Sequence, residues 1–567
     1  MDKSKSIWLK ILFLVIVFFL AVGVWYSPIV FKGYSTQPVS EDILLARNYH
    51  QTGVLAIQND QNVTISSNLI KTEGHSLVKS QYLRSFFYAK IFDIFGVPTY
   101  NNLILISIIL YAFVLVIFTI LILYLFNFKT AVVFSLIYIL IPFNWAGNQY
   151  LGAYEFCLLF LALFFVFYFV AVKMGYQGER KYEIPLYAIS GVFLALSGLS
   201  KEATFVFALA LFVFLIIKKL KKQFIYIFAP FFVLLLIFWM PSIFNGQNRY
   251  LPLLGATTEE SIFSHYLHLF PDPYTYYFGK DDFLDMFRNQ DIGLTENIET
   301  SRMLKHYGLG KVTMIGRLNM GTYLLSQHLF RFFSLEEFGG PFVTLLLILG
   351  FVYLRKKFKY IYELSKYWLA ISFVVFSYIL LVSRSHLIDF IWILVLAISF
   401  GIIYLIEIVE NYFKLRGKKL IFFEVAVICL ALYHLVLVNH VALGKQYDKD
   451  FVPRSIAYSQ EINKFDIKDE EVIAVPGTFP GQEATLNYLT NKSFVIFRDS
   501  TLEKLLDDGE IKQAFEAFGV KYILGYSDEL SARIVEQSEA TNITSSLIEV
   551  NINEVSANKS FLMNLIR

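Results

Sequence analysis

The sequence predicts an all-α polytopic membrane domain of about eleven transmembrane helices, followed by a small C-terminal α/β domain on the extracytoplasmic side. Three features carry this expectation. Of 567 residues, 56% are hydrophobic and only 17% charged, which is more apolar surface than a water-soluble chain of this length can hide. The apolar residues fall in runs parted by short basic clusters. From about Asp448 onward the composition turns polar.

A bilayer core about 30 Å thick takes roughly 20 helical residues to cross. On that measure spans fall near 7–27, 102–126, 130–144, 151–172, 184–200, 203–217, 223–243, 340–354, 367–383, 386–408 and 420–440. The first follows Lys3 and Lys5 as a signal peptide would, but it is long and lacks a small-x-small cleavage site, so it reads as a retained helix. With this set of spans, one face receives Lys129, then Lys173, Arg180 and Lys181, then Lys218, Lys219, Lys221 and Lys222. Arg355 to Lys359 and Lys414 to Lys419 add two more clusters to the same face. Basic loops stay in the cytoplasm, so the N-terminus is expected inside and the C-terminus outside a cell membrane. The membrane domain then covers 1–444, with long outer loops at 28–101 and 244–339. Within them, Ser85–Phe95 and Ile262–Tyr277 mix aromatics with charges, which suits helices lying in the interface or packed loops with aromatic anchors.

The segment 445–567 alternates strand-like EVIAVPG, helical GQEATLNYLT, strand-like SFVIF, helical STLEKLLDDGEIKQAFEAFG and strand-like VKYILGYS. Its GTFPG stretch lacks the GK[ST] ending of a phosphate loop and reads as a turn. Asn62, Asn491, Asn542 and Asn558 open N-x-S/T sequons, all on the expected outer side. Cys157 and Cys429 lie in apolar runs and can build neither a disulfide framework nor a thiolate metal site. A net charge of +3 is too small for this length to indicate a nucleic-acid partner.

Ionisable groups at membrane depth are expensive, so those that persist suggest function. Glu41 and Asp42 follow the first span, Glu155 opens the fourth, Lys201 and Glu202 join the fifth and sixth, and Arg384, His386 and Asp389 lie between the ninth and tenth. The fifth and sixth runs are short, which would sink Lys201 and Glu202 below the interface and require a polar cavity open to the outside. Each group also has a structural reading. Ser40, Glu41 and Asp42 make a good helix N-terminus, and Glu155 suits a first-turn dipole partner. Lys201 and Glu202 could be loop charges at a longer, tilted hairpin, and Arg384 could snorkel to headgroups.

At these positions the sequence resembles the GT-C class of integral membrane glycosyltransferases, in particular the family of protein mannosyltransferases and lipid A aminoarabinose transferases (glycosyltransferase family 39). SEDILLARNYHQTGVL looks like the family's acidic pair and following helix, and YLGAYEFCLLFLALFF like its acid opening a leucine-rich span. SGVFLALSGLSKEATFVFALALF is similar to its Lys-Glu between two helices, and SRSHLIDFIWILVLAISF to its late span behind an Arg. The resemblance implies transfer, with inversion, of a sugar from a polyprenyl-phosphate donor to a protein, lipid or glycan acceptor on the outer face. Asp42 or Glu41 would be the base. Lys201 and Arg384, supported by His386, would hold the lipid phosphate, and Glu155 and Glu202 would supply further acidic contacts. Two departures stand out. The acidic pair lies closer to Ala46 than in many relatives, and FNWAGNQYLG offers no acid before Glu155, so no obligatory metal is expected. A transporter or flippase of the same topology is the competing reading, although its coupling groups would belong at mid-membrane, where these spans carry almost no charge. A non-catalytic protein that binds lipid-linked sugar is a third.

Overall fold

The computed structural model describes residues 3–34, 39–52, 62–64, 82–141, 152, 154–201, 203–244, 328–379, 389–442, 453–467, 471–476, 482–497, 499–538, 540–543 and 547–550, with isolated positions near 322–326. The expected interfacial stretch Ile262–Tyr277 and the GTFPG turn lie outside them.

Helices dominate the first three quarters of the chain. They are α1 (Lys3–Lys32), α2 (Glu41–Thr52), α3 (Tyr82–Phe95), α4 (Tyr100–Leu125), α5 (Phe128–Leu140), α6 (Glu155–Tyr176), α7 (Arg180–Ser200), α8 (Thr204–Ile217) and α9 (Lys221–Phe244). Beyond a 3-10 turn at Arg331–Phe333 come α10 (Gly340–Lys357), α11 (Lys359–Val374), α12 (Ile391–Phe413) and α13 (Lys418–Ala442). Each of the eleven apolar runs overlaps one of these helices, and among the described residues seven helices are long and apolar enough to cross a membrane. Large apolar side chains on the outward faces of α1 and α13, such as Trp8, Phe19, Phe422 and Leu430, are more than half exposed, as lipid-facing surfaces are. The chain is a membrane protein.

Helix α7 departs from the expectation of two short neighbouring spans. It begins at Arg180 and runs 21 residues, so only α8, with 14, is short. The polar start RKYE continues the helix beyond the apolar run, because a helix can carry charges where its end leaves the hydrocarbon.

Short α5, with 13 residues, is held by neighbours on several sides. The Trp25 indole donates to Ile139 O at 3.0 Å and Thr119 meets Ser135 at 2.9 Å. Asn439 donates to Leu140 O, and Lys129 pairs with Glu424 at 2.7 Å. The bundle centre is aromatic. Trp392 stacks on Phe118 at 5.1 Å and lies 4.5 Å from Phe165, and Trp368 lies 4.5 Å from Phe207. Helices α10 and α12 approach so closely at Gly350 that any Cβ there would collide with the Ala397 carbonyl, which is why this contact requires a small residue.

After α13 follow α14 (Arg454–Ile462), β2 (Val472–Pro476), α15 (Gln482–Thr490), β3 (Ser493–Phe497), α16 (Asp499–Asp507), α17 (Ile511–Phe518), β4 (Val520–Leu524), α18 (Asp528–Ser538), β5 (Thr541–Asn542) and β6 (Leu547–Glu549). Strands β3, β2 and β4 are parallel neighbours, and β6 and β5 extend the sheet antiparallel. The opposite edge is β1 (Asn62–Thr64), which comes from the segment between α2 and α3 and pairs parallel to β3, with Val63 opposite Val495. A stretch of the first long loop thus completes a sheet whose other strands lie more than 400 residues later in the chain.

Candidate functional site

Helices α6 and α7 pack side by side and antiparallel, so the start of α6 and the end of α7 lie at one end of the bundle. Helices α2 and α3, between the end of α1 and the start of α4, lie at that end too. The polar groups meet there.

Asp42, in the first turn of α2, is 3% exposed and forms an ion pair with Arg84 of α3, Oδ2 to Nη2 at 2.7 Å. Both side chains are almost fully buried, and the Ser85 hydroxyl donates to Asp42 Oδ1 at 3.4 Å. Arg84 was not among the residues chosen from sequence. Its signal was present all the same, as the cation heading the aromatic stretch SFFYAKIF.

Glu155, in the first turn of α6, is 1% exposed and is met by neutral donors. Its Oε1 accepts from the Ser107 hydroxyl of α4 and from Gly152 N–H at 2.9 Å, and its Oε2 from Tyr154 N–H at 3.0 Å. The backbone ahead of α6 thus closes on the carboxylate as a cap would. Gly152 has φ +84°, and a Cβ built there would lie 2.6 Å from Ile43 Cδ1 and 3.0 Å from Ser40 Oγ. Only glycine fits at this point, where the start of α2 meets the donors of Glu155.

Tyr88 of α3 stands within electrostatic reach of both carboxylates. Burial pushes its phenol well up, Glu155 and Asp42 push it further, and Arg84 opposes. Lys201 caps the end of α7 with its N–H on Ser197 O at 2.9 Å, and its Nζ lies 5.3 Å from the centre of the Tyr154 ring. Ser197 donates to Cys157 O at 2.7 Å and fastens the α7–α8 junction to α6. Cys157 itself stands within electrostatic reach of Asp389, Arg84, Lys201 and Glu155. Asp389, just before α12, is 2% exposed, so a third buried acid joins the group.

Of the residues selected from sequence, Asp42, Glu155 and Lys201 are therefore neighbours at one end of the bundle. Glu41 opens α2, with its side chain outside the described residues, and Glu202, Arg384 and His386 lie outside them altogether. Among the described residues no group of three or more His, Cys, Asp and Glu side chains could hold a metal ion. Electrostatically the site pairs acids with cations at its rim, an arrangement that can bind an anionic headgroup and accept a proton a short distance away.

The membrane part has the fold of the GT-C class. Among the solved structures that share it are two of the oligosaccharyltransferase of Archaeoglobus fulgidus. The first, a complex with zinc and sulfate, aligns with 92% of this chain and 69% of its own at 12% identity and TM-score 0.54. The second, AglB in complex with an inhibitory peptide and a dolichol-phosphate, aligns with 96% of this chain and 75% of its own at 12% identity and TM-score 0.55. No protein-family model and no curated protein matches the sequence.

Proposed function

We propose that the chain is a glycosyltransferase that takes a sugar from a polyprenyl-phosphate donor and passes it, with inversion, to an acceptor on the outer face of the membrane. All eleven apolar helices would cross the bilayer, with the N-terminus inside and the α/β domain of 445–567 outside. One arrangement carries this reading: Asp42 with Arg84, Glu155 and Lys201 gather at one end of a bundle with the fold of an oligosaccharyltransferase. That protein binds a dolichol-phosphate and a peptide in its solved complex, which are the two kinds of ligand this reading requires.

In the proposed step the acceptor oxygen attacks C1 of the sugar, and the bond between C1 and the phosphate oxygen breaks with its electrons leaving on the phosphate. The acceptor proton passes to a carboxylate. Asp42, paired with Arg84, accepts a hydrogen bond from the acceptor and orients it, and Asp42 or the adjacent Glu41 takes the proton. Lys201, supported by Arg384 and His386, would stabilise the charge that grows on the leaving phosphate, where fixed cations in a dry site are most effective. Glu155 shapes the floor of the site from the start of α6, with Glu202 beside the α7–α8 junction.

The test is transfer in proteoliposomes from a radiolabelled polyprenyl-phosphate sugar. Label should move to an acceptor, and Asp42→Asn should slow the transfer by about 10²- to 10⁴-fold. Label that crosses the bilayer without changing its covalent partner would instead identify a carrier, and binding with neither outcome a non-catalytic receptor.

A further inference from the structure

We infer that helix α15 of the C-terminal region is a positioning device for Asp42, gripping α2 on both sides of that carboxylate. The inference rests on the glycosyltransferase reading for the role of Asp42, but the grip stands on geometry alone.

Ahead of Asp42, Val39 N–H donates to Thr485 Oγ1 at 2.8 Å. Beyond it, Arg47 Nη2 donates to Asn487 Oδ1 at 2.5 Å and Nη1 to Asn487 O at 3.5 Å. The next residue of α15, Tyr488, donates its hydroxyl to Pro98 O at 2.6 Å, just past the end of α3, the helix that supplies Arg84. One short helix therefore touches α2 and the turn that follows α3. These contacts exclude water: Val39, Arg47, Thr485 and Asn487 are all at most 4% exposed.

The chemistry of the grip makes it stiff. Asn487 Nδ2 donates to Lys492 O at 2.8 Å, which fixes the amide so that its oxygen faces Arg47. Burial lowers the affinity of the Arg47 guanidinium for its proton, and the ring of Tyr488 lies 5.9 Å from it. Among the described residues its hydrogen bonds run to the amide oxygens of Asn487, so withdrawing Asn487 would leave a buried cation poorly satisfied. Thr485 and Asn487 lie two residues apart on α15, and Val39 and Arg47 flank Asp42 on the partner segment, so α2 can neither slide nor roll without breaking a buried bond. Strand β1 adds a further anchor from the same loop to the sheet that carries α15. Reaction rates respond to misplacements of about 1 Å by as much as 10²-fold, so a helix held at two points around its carboxylate matters to kcat.

The experiment uses the full-length protein in proteoliposomes with Asn487→Leu, Asn487→Asp and Thr485→Val. Two readouts are taken, hydrogen–deuterium exchange over 41–52 and sugar transfer resolved into kcat and donor KM. Asn487→Leu should speed exchange across α2, leave the spans unchanged, and lower kcat about 10- to 100-fold with donor KM constant, because Lys201 lies outside the grip. Asn487→Asp restores an acceptor for Arg47 and should recover most of both. Thr485→Val, which removes only the acceptor for Val39, should shift both in the same direction by less, and it covers the case in which Asn487→Leu fails to fold. Unchanged exchange over α2 in these variants overturns the grip, and faster exchange with an unchanged kcat overturns the positioning role. A wild-type protein that transfers no sugar refutes the glycosyltransferase reading and with it the effect on kcat, while the exchange result still decides the grip.

Discussion

Asp42 and Glu155 are both acids buried at one end of the bundle, yet Asp42 is answered by a guanidinium and Glu155 by a hydroxyl and two backbone amides. The difference teaches how each fits the site. Glu155 completes the backbone at the start of its own helix, as a cap does, and its partners belong to the scaffold. Asp42 depends on a charged side chain from a second helix, so its charge belongs to a pair that spans α2 and α3. The sharpest way to break this comparison is Arg84→Ala. Removing one member of a buried ion pair leaves an uncompensated charge, and about 3–5 kcal/mol of stability should be lost. Thermal unfolding in a fixed detergent measures it, and adding Asp42→Asn should recover part of the loss. A drop below about 1 kcal/mol would show that Asp42 is wet and that the pair behaves as a surface salt bridge.

Glu155→Gln sharpens the other half. The amide keeps one oxygen for Ser107 and Gly152 but turns an NH2 toward Tyr154 N–H, so one bond is lost and one donor is opposed by another. The expected cost is about 1–3 kcal/mol in the same unfolding assay, smaller than for Arg84→Ala because no net charge is stranded. If Glu155 belongs to the scaffold, sugar transfer per folded molecule should fall less than in Asp42→Asn. An equal fall would place the two acids in the same chemical role.

The spans were legible because lipid leaves few options: an apolar run must become a helix, and basic clusters mark its ends. The limits of α7 were not, since RKYE is polar and only helix continuity past the apolar run reveals it. In the site, Asp42, Glu155 and Lys201 could be picked out because charges beside apolar runs are costly enough to need a reason. Arg84 escaped, because its partner lies 42 residues away in a loop and an Arg among aromatics reads equally well as an interfacial anchor. The same holds for Arg47, which looked like part of an acidic helix motif and instead reaches 440 residues along the chain to Asn487. Strand β1 gave no usable pattern, since three residues show no periodicity and its pairing is fixed by a sheet edge formed at the far end of the sequence.

Beside the buried Asp42–Arg84 pair, α2 and α3 have an exposed tie, where Asp93 meets His50 at 2.7 Å and Lys90 at 2.7 Å. The smallest expected effect lies here. Lys90 and then His50, by hydrogen bonding, hold the Asp93 carboxyl below its ordinary value. A carboxyl depressed in the folded state stabilises at every pH above its unfolded value, and that contribution fades as pH falls through the folded value. The tie should therefore be intact at neutral pH and open only below the ordinary carboxylate range, about pH 4, while the buried pair still holds the two helices together. Only the His50 contact crosses between helices, since Lys90 lies three residues from Asp93 on α3. Spin labels at exposed Gln51 and Ile94 should show a distance distribution that broadens on acidification, and in His50→Ala it should be broad already at neutral pH. Salt should weaken the tie in the same direction, because both partners are open to solvent. A distribution that stays narrow under acid, salt and His50→Ala alike would mean that Asp42 and Arg84 alone set the geometry of α2 against α3.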